Sequence, residues 1–255
     1  MSTDRGLVPA QSTARLRLYV FGPGIGESIV MHLPCGHWGM VDCYLPSASS
    51  AEGLLNFIRE RRIDRLKFFC LTHPHVDHYL GAHLLLEKFA GRIDRIWRHP
   101  GFSTRDITSR VLLAAKIKGR RTQDPEASIL ADGYARLLKA IREVTATLPD
   151  QNYRRVIAPV ILLNEDTYRI SALRPNSAML DEAESHIARI DANRGSLLFT
   201  EEEGAVLNPL SVVLLIDFAR THILLLGDSQ GSREELRTAG GHIAVLKVAH
   251  HGSSN

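Results

Sequence analysis

A short segment with three histidines and one aspartate has the clearest chemical potential in the sequence. His73, His75, Asp77 and His78 lie within six residues, in the pattern H-x-H-x-D-H. Imidazole and carboxylate groups are the usual ligands of a catalytic zinc ion, which keeps one position open for water. Because four such ligands so close together do not all reach one ion, the pattern predicts two. We expect His73 and His75 on one ion and Asp77 and His78 on the other.

An apolar segment precedes these ligands and must position them. Residues 65–71, RLKFFCL, mix aromatic and aliphatic side chains over the length of one buried strand, which ends at Thr72. Pro74 favours a loop directly after it. Since functional side chains concentrate in loops that a rigid scaffold positions, we expect the metal site at the carboxyl end of this strand.

The H-x-H-x-D-H pattern after a buried strand resembles the signature of the metallo-β-lactamase superfamily. The resemblance implies an α/β fold, a four-layer αββα sandwich, with the metal ions at the edge where the two sheets meet. The length of 255 residues is sufficient for a large core, and we expect residues 1–255 to form a single domain of this fold.

Two aspartates elsewhere in the chain also follow apolar segments. Asp42 in isolation is equally a turn-capping residue or a buried hydrogen-bond partner, and the resemblance implies that it orients the metal-binding loop without touching metal. Asp228 follows LLLG. Alone it would be a turn residue more often than not, but beside the histidine array we predict that it bridges the two cations, since Gly227 allows close backbone approach.

Two adjacent histidines end the last predicted strand, residues 243–249. Neighbouring side chains of a strand point in different directions, so only one can bind metal. We choose His250 and leave His251 to contact substrate or to support the ligands. The predicted metal ligands are therefore His73, His75, Asp77, His78, Asp228 and His250.

Longer segments resemble the metallo-β-lactamase domain of the DNA-internalisation competence proteins and their soluble relatives. These segments are GIGESIVMHL, NPLSVVLLIDFARTHILLLGDS and LKVAHHGSS. Such domains continue past H-H-G-S and generally supply one more histidine to the metal of Asp77 and His78, whereas this chain stops at Asn255. We therefore expect a truncated C-terminal end, a ligand supplied by a partner, or an incomplete second site.

The remaining pattern predicts strands and helices around this site, with one helical insertion. The predicted helices are 49–61, beginning with a capping box at Ser49 and Glu52, 80–89 and 179–190; the other predicted strands are 15–21, 27–33, 37–44, 93–97, 156–163, 167–173, 211–218 and 222–226. The insertion, about residues 101–159, contains helices near 107–118 and 127–147. It is either an ordinary solvated helical hairpin or a cover over the substrate, whose basic turn (Lys116, Lys118, Arg120, Arg121) meets phosphates.

Composition limits the class of protein. A formal net charge of +3 is too small to indicate a nucleic-acid binder by itself. The chain lacks an apolar run of roughly 20 residues and a secretory leader, which predicts a cytoplasmic protein without a membrane span. Cys35, Cys43 and Cys70 are odd in number and scattered, so we expect them to pack rather than to form disulfides.

These features together predict a hydrolase with two zinc ions, or with manganese instead. The metals would generate a bound hydroxide at neutral pH, which Asp77 or Asp228 could orient. By analogy with the DNA-processing proteins that the sequence resembles, we expect a phosphodiesterase or nuclease. One alternative is a carboxylic or phosphocholine-type ester hydrolase, which uses the same hydroxide. Another is a non-catalytic metal-binding subunit of a larger assembly, with a protein partner.

Overall fold

The computed structural model describes residues 15–22, 26–101, 125–194, 208–229, 237 and 242–247. Within them the strands form one sheet of six and one of five. The strands are β1 Arg17–Phe21, β2 Ser28–His32, β3 Trp38–Val41, β4 Phe68–Leu71, β5 Ile96–Arg98, β6 Tyr153–Arg155, β7 Val160–Asn164, β8 Tyr168–Arg174, β9 Val213–Phe218, β10 Thr221–Leu225 and β11 His242–Lys247. The α-helices are α1 Ala48–Glu60, α2 Val76–Tyr79, α3 Ala82–Lys88, α4 Pro125–Thr145 and α5 Ser177–Arg194.

The first sheet has the order β1-β2-β3-β4-β5-β6. Strands β1 to β3 are antiparallel, and β3 to β6 are parallel. Parallel neighbours need long crossover connections, and α1, α2 with α3, and α4 lie in those connections. The carboxyl ends of β3, β4 and β5 therefore meet at one edge of the sheet.

The second sheet has the order β11-β10-β9-β8-β7. Neighbouring strands in this sheet are antiparallel, except β10 and β11, which run parallel. Just before β9, the central strand of this sheet, the amide of Val212 donates a hydrogen bond of 2.9 Å to the carbonyl of Thr72. This bond joins the start of β9 to the end of β4, so the two sheets meet where β4 ends.

Alternation along β4 explains how one strand serves two layers of the core. Phe68 and Cys70 pack between the two sheets, whereas Phe69 and Leu71 pack against the helices on the other face. All four side chains are fully buried. A strand buried on both faces reads as a continuous apolar run, which is the pattern of residues 68–71 in the sequence. A third apolar cluster lies around Val213 and Leu224 of the second sheet.

Helix α4 belongs to the core, which corrects one prediction. We expected a solvated hairpin or a cover over substrate, with its second helix at 127–147. The observed helix packs against α3 and α2, and five of its side chains are buried in the cluster that covers the first sheet: Tyr134, Leu137, Ala140, Ile141 and Val144. The other predicted helix, 107–118, and the basic turn lie outside the described residues.

Tyr153–Arg155 was also predicted wrongly, as part of the insertion. These residues form β6, the last strand of the first sheet. The predicted single strand 156–163 is instead a crossing between the sheets followed by β7. An apolar run shows that a segment is buried, but it does not show which of two sheets buries each residue.

Two predicted helices begin differently in the structure. The helix predicted over 80–89 begins only at Ala82, as α3, because Gly81 takes a left-handed conformation (φ 103°) between α2 and α3. A Cβ atom at Gly81 would lie 2.6 Å from the Cβ atom of Leu45, so glycine is required there. Helix α1 is capped by Ser47, whose hydroxyl accepts a hydrogen bond from the amide of Ser50, rather than by the predicted box starting at Ser49.

The predicted αββα class is confirmed by the two stacked sheets and the helices outside the first of them. Among the described helices, we find none with the length and apolar character needed to cross a membrane.

Candidate metal centre

The ends of three strands carry the predicted site residues. Asp42 follows β3, His73 follows β4 by two residues, and Asp228 follows β10 of the second sheet. Short helix α2 starts directly after His75 and contains Asp77 and His78. The site therefore lies at the edge where the two sheets meet, as the resemblance implied.

His73, His78 and Asp228 form one compact cluster of potential metal ligands. Each offers one ligand atom, these atoms lie within 4.8 Å of one another, and all three residues are buried. The Nε2 atom of His78 is 3.1 Å from Oδ1 of Asp228, and Nε2 of His73 is 3.7 Å from Oδ2. The cluster thus takes one residue from each predicted pair of metal ligands and adds the aspartate predicted to bridge them.

His75 and Asp77 border this cluster. The ring centroids of His73 and His75 are 4.7 Å apart, and those of His73 and His78 are 4.1 Å apart. One carboxylate oxygen of Asp77 lies 3.9 Å from Nε2 of His78. Every predicted ligand among the described residues therefore meets at one place. His250 and His251 lie outside the described residues.

Asp42 is fully buried beneath His78 and accepts three hydrogen bonds. Its carboxylate accepts one from the amide of Thr72 at 2.7 Å, one from the hydroxyl of Thr72 at 2.6 Å and one from Nδ1 of His78 at 2.7 Å. It has a left-handed backbone (φ 56°), which aspartate tolerates better than most residues do. Since the proton of His78 on Nδ1 points to Asp42, Nε2 is turned toward Asp228.

Thr72 orients His73 in the same way. Its hydroxyl donates to Asp42 and therefore accepts from Nδ1 of His73, at 3.1 Å. The lone pair of His73 is then on Nε2, a buried atom without a hydrogen-bond partner among the described residues. Burial, together with neighbouring His78 and His75, holds the pKa of His73 well below its usual range, so the ring is neutral. A neutral imidazole with its lone pair directed at a carboxylate is suited to bind a cation.

The charge balance of the site also fits a cation. Burial disfavours the charged form of His78, yet the carboxylates of Asp42 and Asp228 outweigh it and raise the pKa of His78 to about 10. A proton on His78 therefore balances these carboxylates in the metal-free protein. A metal ion beside Nε2 would supply that positive charge instead, so the donor set fits a divalent cation.

A second group of potential ligands consists of Glu27, Asp42 and His78. It already contains a cation, because Nζ of Lys247 lies 2.8 Å from Oε1 of Glu27. Burial raises the pKa of the Glu27 carboxyl, and the Lys247 ammonium opposes that rise. In addition, Nδ1 of His78 faces Asp42 and is 3.9 Å from Glu27. The group around Asp228 is therefore the better metal site of the two.

Gly227 and Ser211 fix the backbone that carries Asp228. The Ser211 hydroxyl accepts a hydrogen bond of 3.1 Å from the Asp228 amide. Gly227 is left-handed (φ 56°), and a Cβ atom there would lie 2.8 Å from that of Ser211. The close backbone approach predicted for this glycine is thus present, between β10 and the residues before β9.

His99 is a site neighbour that the sequence did not reveal. It is buried, and its Nδ1 accepts a hydrogen bond of 2.8 Å from the amide of Gly101. Burial and the Arg98 guanidinium lower the pKa of His99 to about 3, with a smaller effect from His75. The His99 ring is therefore neutral.

Glu27 and Thr72 are two further site residues that the sequence analysis missed. Their only signal is that Glu27 directly precedes an apolar strand and Thr72 directly follows one.

The family of the chain follows from a match of residues 22–149, half of its length, to the model of the metallo-β-lactamase superfamily. The chain belongs to that superfamily and is a metallo-hydrolase by class. No curated protein sequence matches it significantly.

Two solved structures are similar to the chain. The short form of human tRNase Z is 12% identical, with a TM-score of 0.40, and the match covers 84% of this chain and 68% of that one. A β-lactamase domain protein from Burkholderia ambifaria is 18% identical, with a TM-score of 0.36, and the match covers 62% of this chain and 45% of that one. This chain therefore spans less than half of the length of the Burkholderia protein.

Proposed function

We propose that this protein is a binuclear metal-dependent hydrolase that cleaves phosphodiesters, with nucleic acid as the substrate class. The observation that carries the proposal is the convergence of His73, His78 and Asp228. Both imidazoles are held through Nδ1, by Thr72 and Asp42, so that both Nε2 atoms face the same carboxylate. Such an arrangement of oriented, buried ligands is expected where a metal must be held in fixed geometry.

The proposed ligands divide between two ions. His73 and His75 bind one, Asp77 and His78 bind the other, and Asp228 bridges them. His250 completes the first site, and His251 contacts substrate or supports the ligands. Two zinc ions, or manganese in their place, would act as Lewis acids and activate a water molecule for attack. The residues of the chain then hold the ligand atoms in place and, through Asp77 or Asp228, orient the attacking water.

Positive charge beside the site supports a polyanionic substrate. Arg98 and Arg155 end neighbouring strands β5 and β6, and both lower the pKa of nearby His99. Arg155 is exposed, whereas Arg98 is buried and donates hydrogen bonds to the carbonyls of His99 and Pro100. Their combined field favours an anion at the carboxyl edge of the first sheet, beside the proposed metal ligands.

Resemblance supports the same substrate class. The segments NPLSVVLLIDFARTHILLLGDS and LKVAHHGSS resemble the metallo-β-lactamase domain of DNA-internalisation competence proteins, which process DNA. By the same resemblance we propose one domain over residues 1–255. Cytoplasmic location and a protein partner stay predictions.

The test begins with metal content per chain, on protein purified without added metal. Hydrolysis of bis(p-nitrophenyl) phosphate, of single-stranded DNA and of p-nitrophenyl acetate is then compared before and after chelation. We expect close to two ions per chain and cleavage of both phosphodiesters, which chelation abolishes and zinc or manganese restores. Cleavage of the acetate alone would indicate an ester hydrolase. Loss of folding on chelation, without turnover before it, would indicate a non-catalytic metal-binding subunit.

A further inference from the structure

Lys247 lies between two buried carboxylates that belong to different parts of the site. Its Nζ atom is 2.8 Å from Oε1 of Glu27, but 3.9 Å from Oδ1 of Asp228. It also donates a hydrogen bond of 2.9 Å to the carbonyl of Gly227. The ammonium is thus in contact with Glu27 and stands about one ångström farther from the carboxylate proposed to bridge the metals.

The pair between Glu27 and Lys247 is enclosed. The Glu27 side chain is 5% exposed and the Lys247 side chain 12% exposed. Water screens charges poorly in such surroundings, so each ammonium or carboxylate needs a partner of opposite charge within the protein. If Glu27 lost its charge, Asp228 would be the nearest remaining carboxylate to Lys247 in the described structure.

We propose that Glu27 is a positioning residue, which holds the ammonium of Lys247 away from Asp228 so that this carboxylate stays directed at the metal ions. The inference rests on the proposed metal site and adds a role for two residues that do not bind metal. An ammonium in contact with Asp228 would compete with a metal cation for its oxygen atoms. A buried carboxylate on the other side of the lysine removes that competition.

The backbone supports this arrangement. The amide of Glu27 donates a hydrogen bond of 3.1 Å to the carbonyl of Asp77, which ties the start of β2 to the metal-binding segment. Lys247 is the last residue of β11, which pairs with β10, and its partner in register is Leu225, three residues before Asp228. Glu27 and Lys247 therefore reach each other across the edge where the two sheets meet.

Zinc affinity of purified, metal-depleted protein tests the proposal, measured by competition with a chromophoric chelator. Glu27→Gln keeps the size of the side chain and removes its charge. We expect the affinity to fall by roughly 10- to 100-fold, the usual effect of losing a residue that supports a metal ligand. The double variant Glu27→Gln with Lys247→Met should recover most of the loss, because the competing ammonium is gone. Melting of the metal-free proteins checks that each variant is folded.

Rescue by the second substitution separates the possible roles of Glu27. If Glu27 bound metal directly, the double variant would bind zinc as weakly as Glu27→Gln or would lose an ion, and the proposal would be wrong. If the ion pair only stabilised the fold, Glu27→Gln would lower the melting temperature and leave zinc affinity unchanged, which would also refute it. Wild-type protein without zinc affinity would instead refute the proposed function.

Two further variants complete the design. Glu165→Gln is a matched control. The Glu165 carboxylate is 3.1 Å from Nζ of Lys67, and this ion pair lies away from the metal site, so the variant should leave zinc affinity unchanged. If Glu27→Gln does not fold, Glu27→Asp replaces it. This shorter carboxylate holds the ammonium less closely, and we expect a smaller loss of affinity in the same direction. Unchanged affinity in a folded Glu27→Asp protein would count against the proposal.

Discussion

The imidazole of His78 donates a hydrogen bond of 2.7 Å through Nδ1 to a carboxylate oxygen of Asp42, 36 residues earlier in the chain. The same carboxylate accepts two hydrogen bonds from Thr72. Asp42 therefore fixes the rings on both sides of the cluster, His78 directly and His73 through the Thr72 hydroxyl.

Replacement of Asp42 should weaken metal binding, although Asp42 is proposed to orient the ligands and not to contact the metal ions. Asp42→Asn keeps the shape and suits the left-handed backbone, but an amide accepts through only one of its two ends. We expect zinc affinity to fall by roughly 10- to 100-fold. Competition titration with a chelator measures the change. Asp94→Asn, which removes the negative charge paired with exposed Arg65, should leave the affinity as in wild type.

Asp228→Ala should abolish hydrolysis and lower the number of bound metal ions while the fold is retained. The reason is that one carboxylate is proposed to serve both ions, so its loss leaves neither complete. Metal analysis, turnover and circular dichroism of the same preparation measure the three effects. Asp217→Ala, at the turn where Asp217 accepts a hydrogen bond from His222, is the matched control. Full turnover by Asp228→Ala would show that Asp228 is not a metal ligand.

Arg155→Ala should weaken binding of single-stranded DNA and lessen its dependence on salt. A side chain that neutralises one phosphate releases about one counterion, so the salt slope should fall by about 0.7 for a single strand. Fluorescence anisotropy at several salt concentrations, with hydrolysis suppressed by chelation, measures it. Arg169→Ala removes an exposed arginine that hydrogen bonds with Asn164, and it should change neither quantity. An equal slope in both variants would argue against nucleic-acid contact at β6.

Helix α4 should contribute to stability as a core helix. Leu137 is fully buried in the cluster that covers the first sheet, so Leu137→Ala should cost roughly 2–5 kcal/mol in the free energy of unfolding. Leu84 on α3 is 42% exposed, and Leu84→Ala should change the free energy of unfolding by less than about 1 kcal/mol. Urea denaturation of the two variants makes the comparison. Equal, small losses would return α4 to the solvated hairpin of the sequence prediction.

One of the three cysteines should react with a thiol reagent in the native protein. Cys35 is exposed, whereas burial, together with the Asp42 carboxylate, raises the pKa of the Cys43 and Cys70 thiols. Since the thiolate is the reactive form, the two buried thiols should react only after unfolding. Titration with Ellman's reagent before and after denaturation counts them. Cys35→Ser should remove the fast phase, and a fast phase that persists would mean that a second thiol is accessible.

Local patterns in the sequence were sufficient to predict much of the fold. An apolar run bounded by Thr72 and a metal-ligand array predicted the central strand. Alternation predicted β1, and apolar segments predicted β2 and β8, to within a few residues. Segments that serve two sheets were harder. The sequence predicted one strand over 156–163 and left Tyr153–Arg155 in the insertion, but the structure places Tyr153–Arg155 in the first sheet and Val160–Asn164 in the second. The apolar pattern of a segment shows that it is buried, and a strand buried in either sheet has the same pattern.

For the candidate site, the sequence by itself determined the ligand types and their positions at strand ends, because histidine and aspartate beside apolar runs are readable one segment at a time. Only the tertiary structure decided which of them meet. His73, His78 and Asp228 converge because β4 and β10 come from different sheets that join at Thr72 and Val212. Glu27 and Lys247 are 220 residues apart, and the ion pair between them exists only through that same junction. Long-range contacts of this kind depend on the packing of whole sheets, which no local pattern contains.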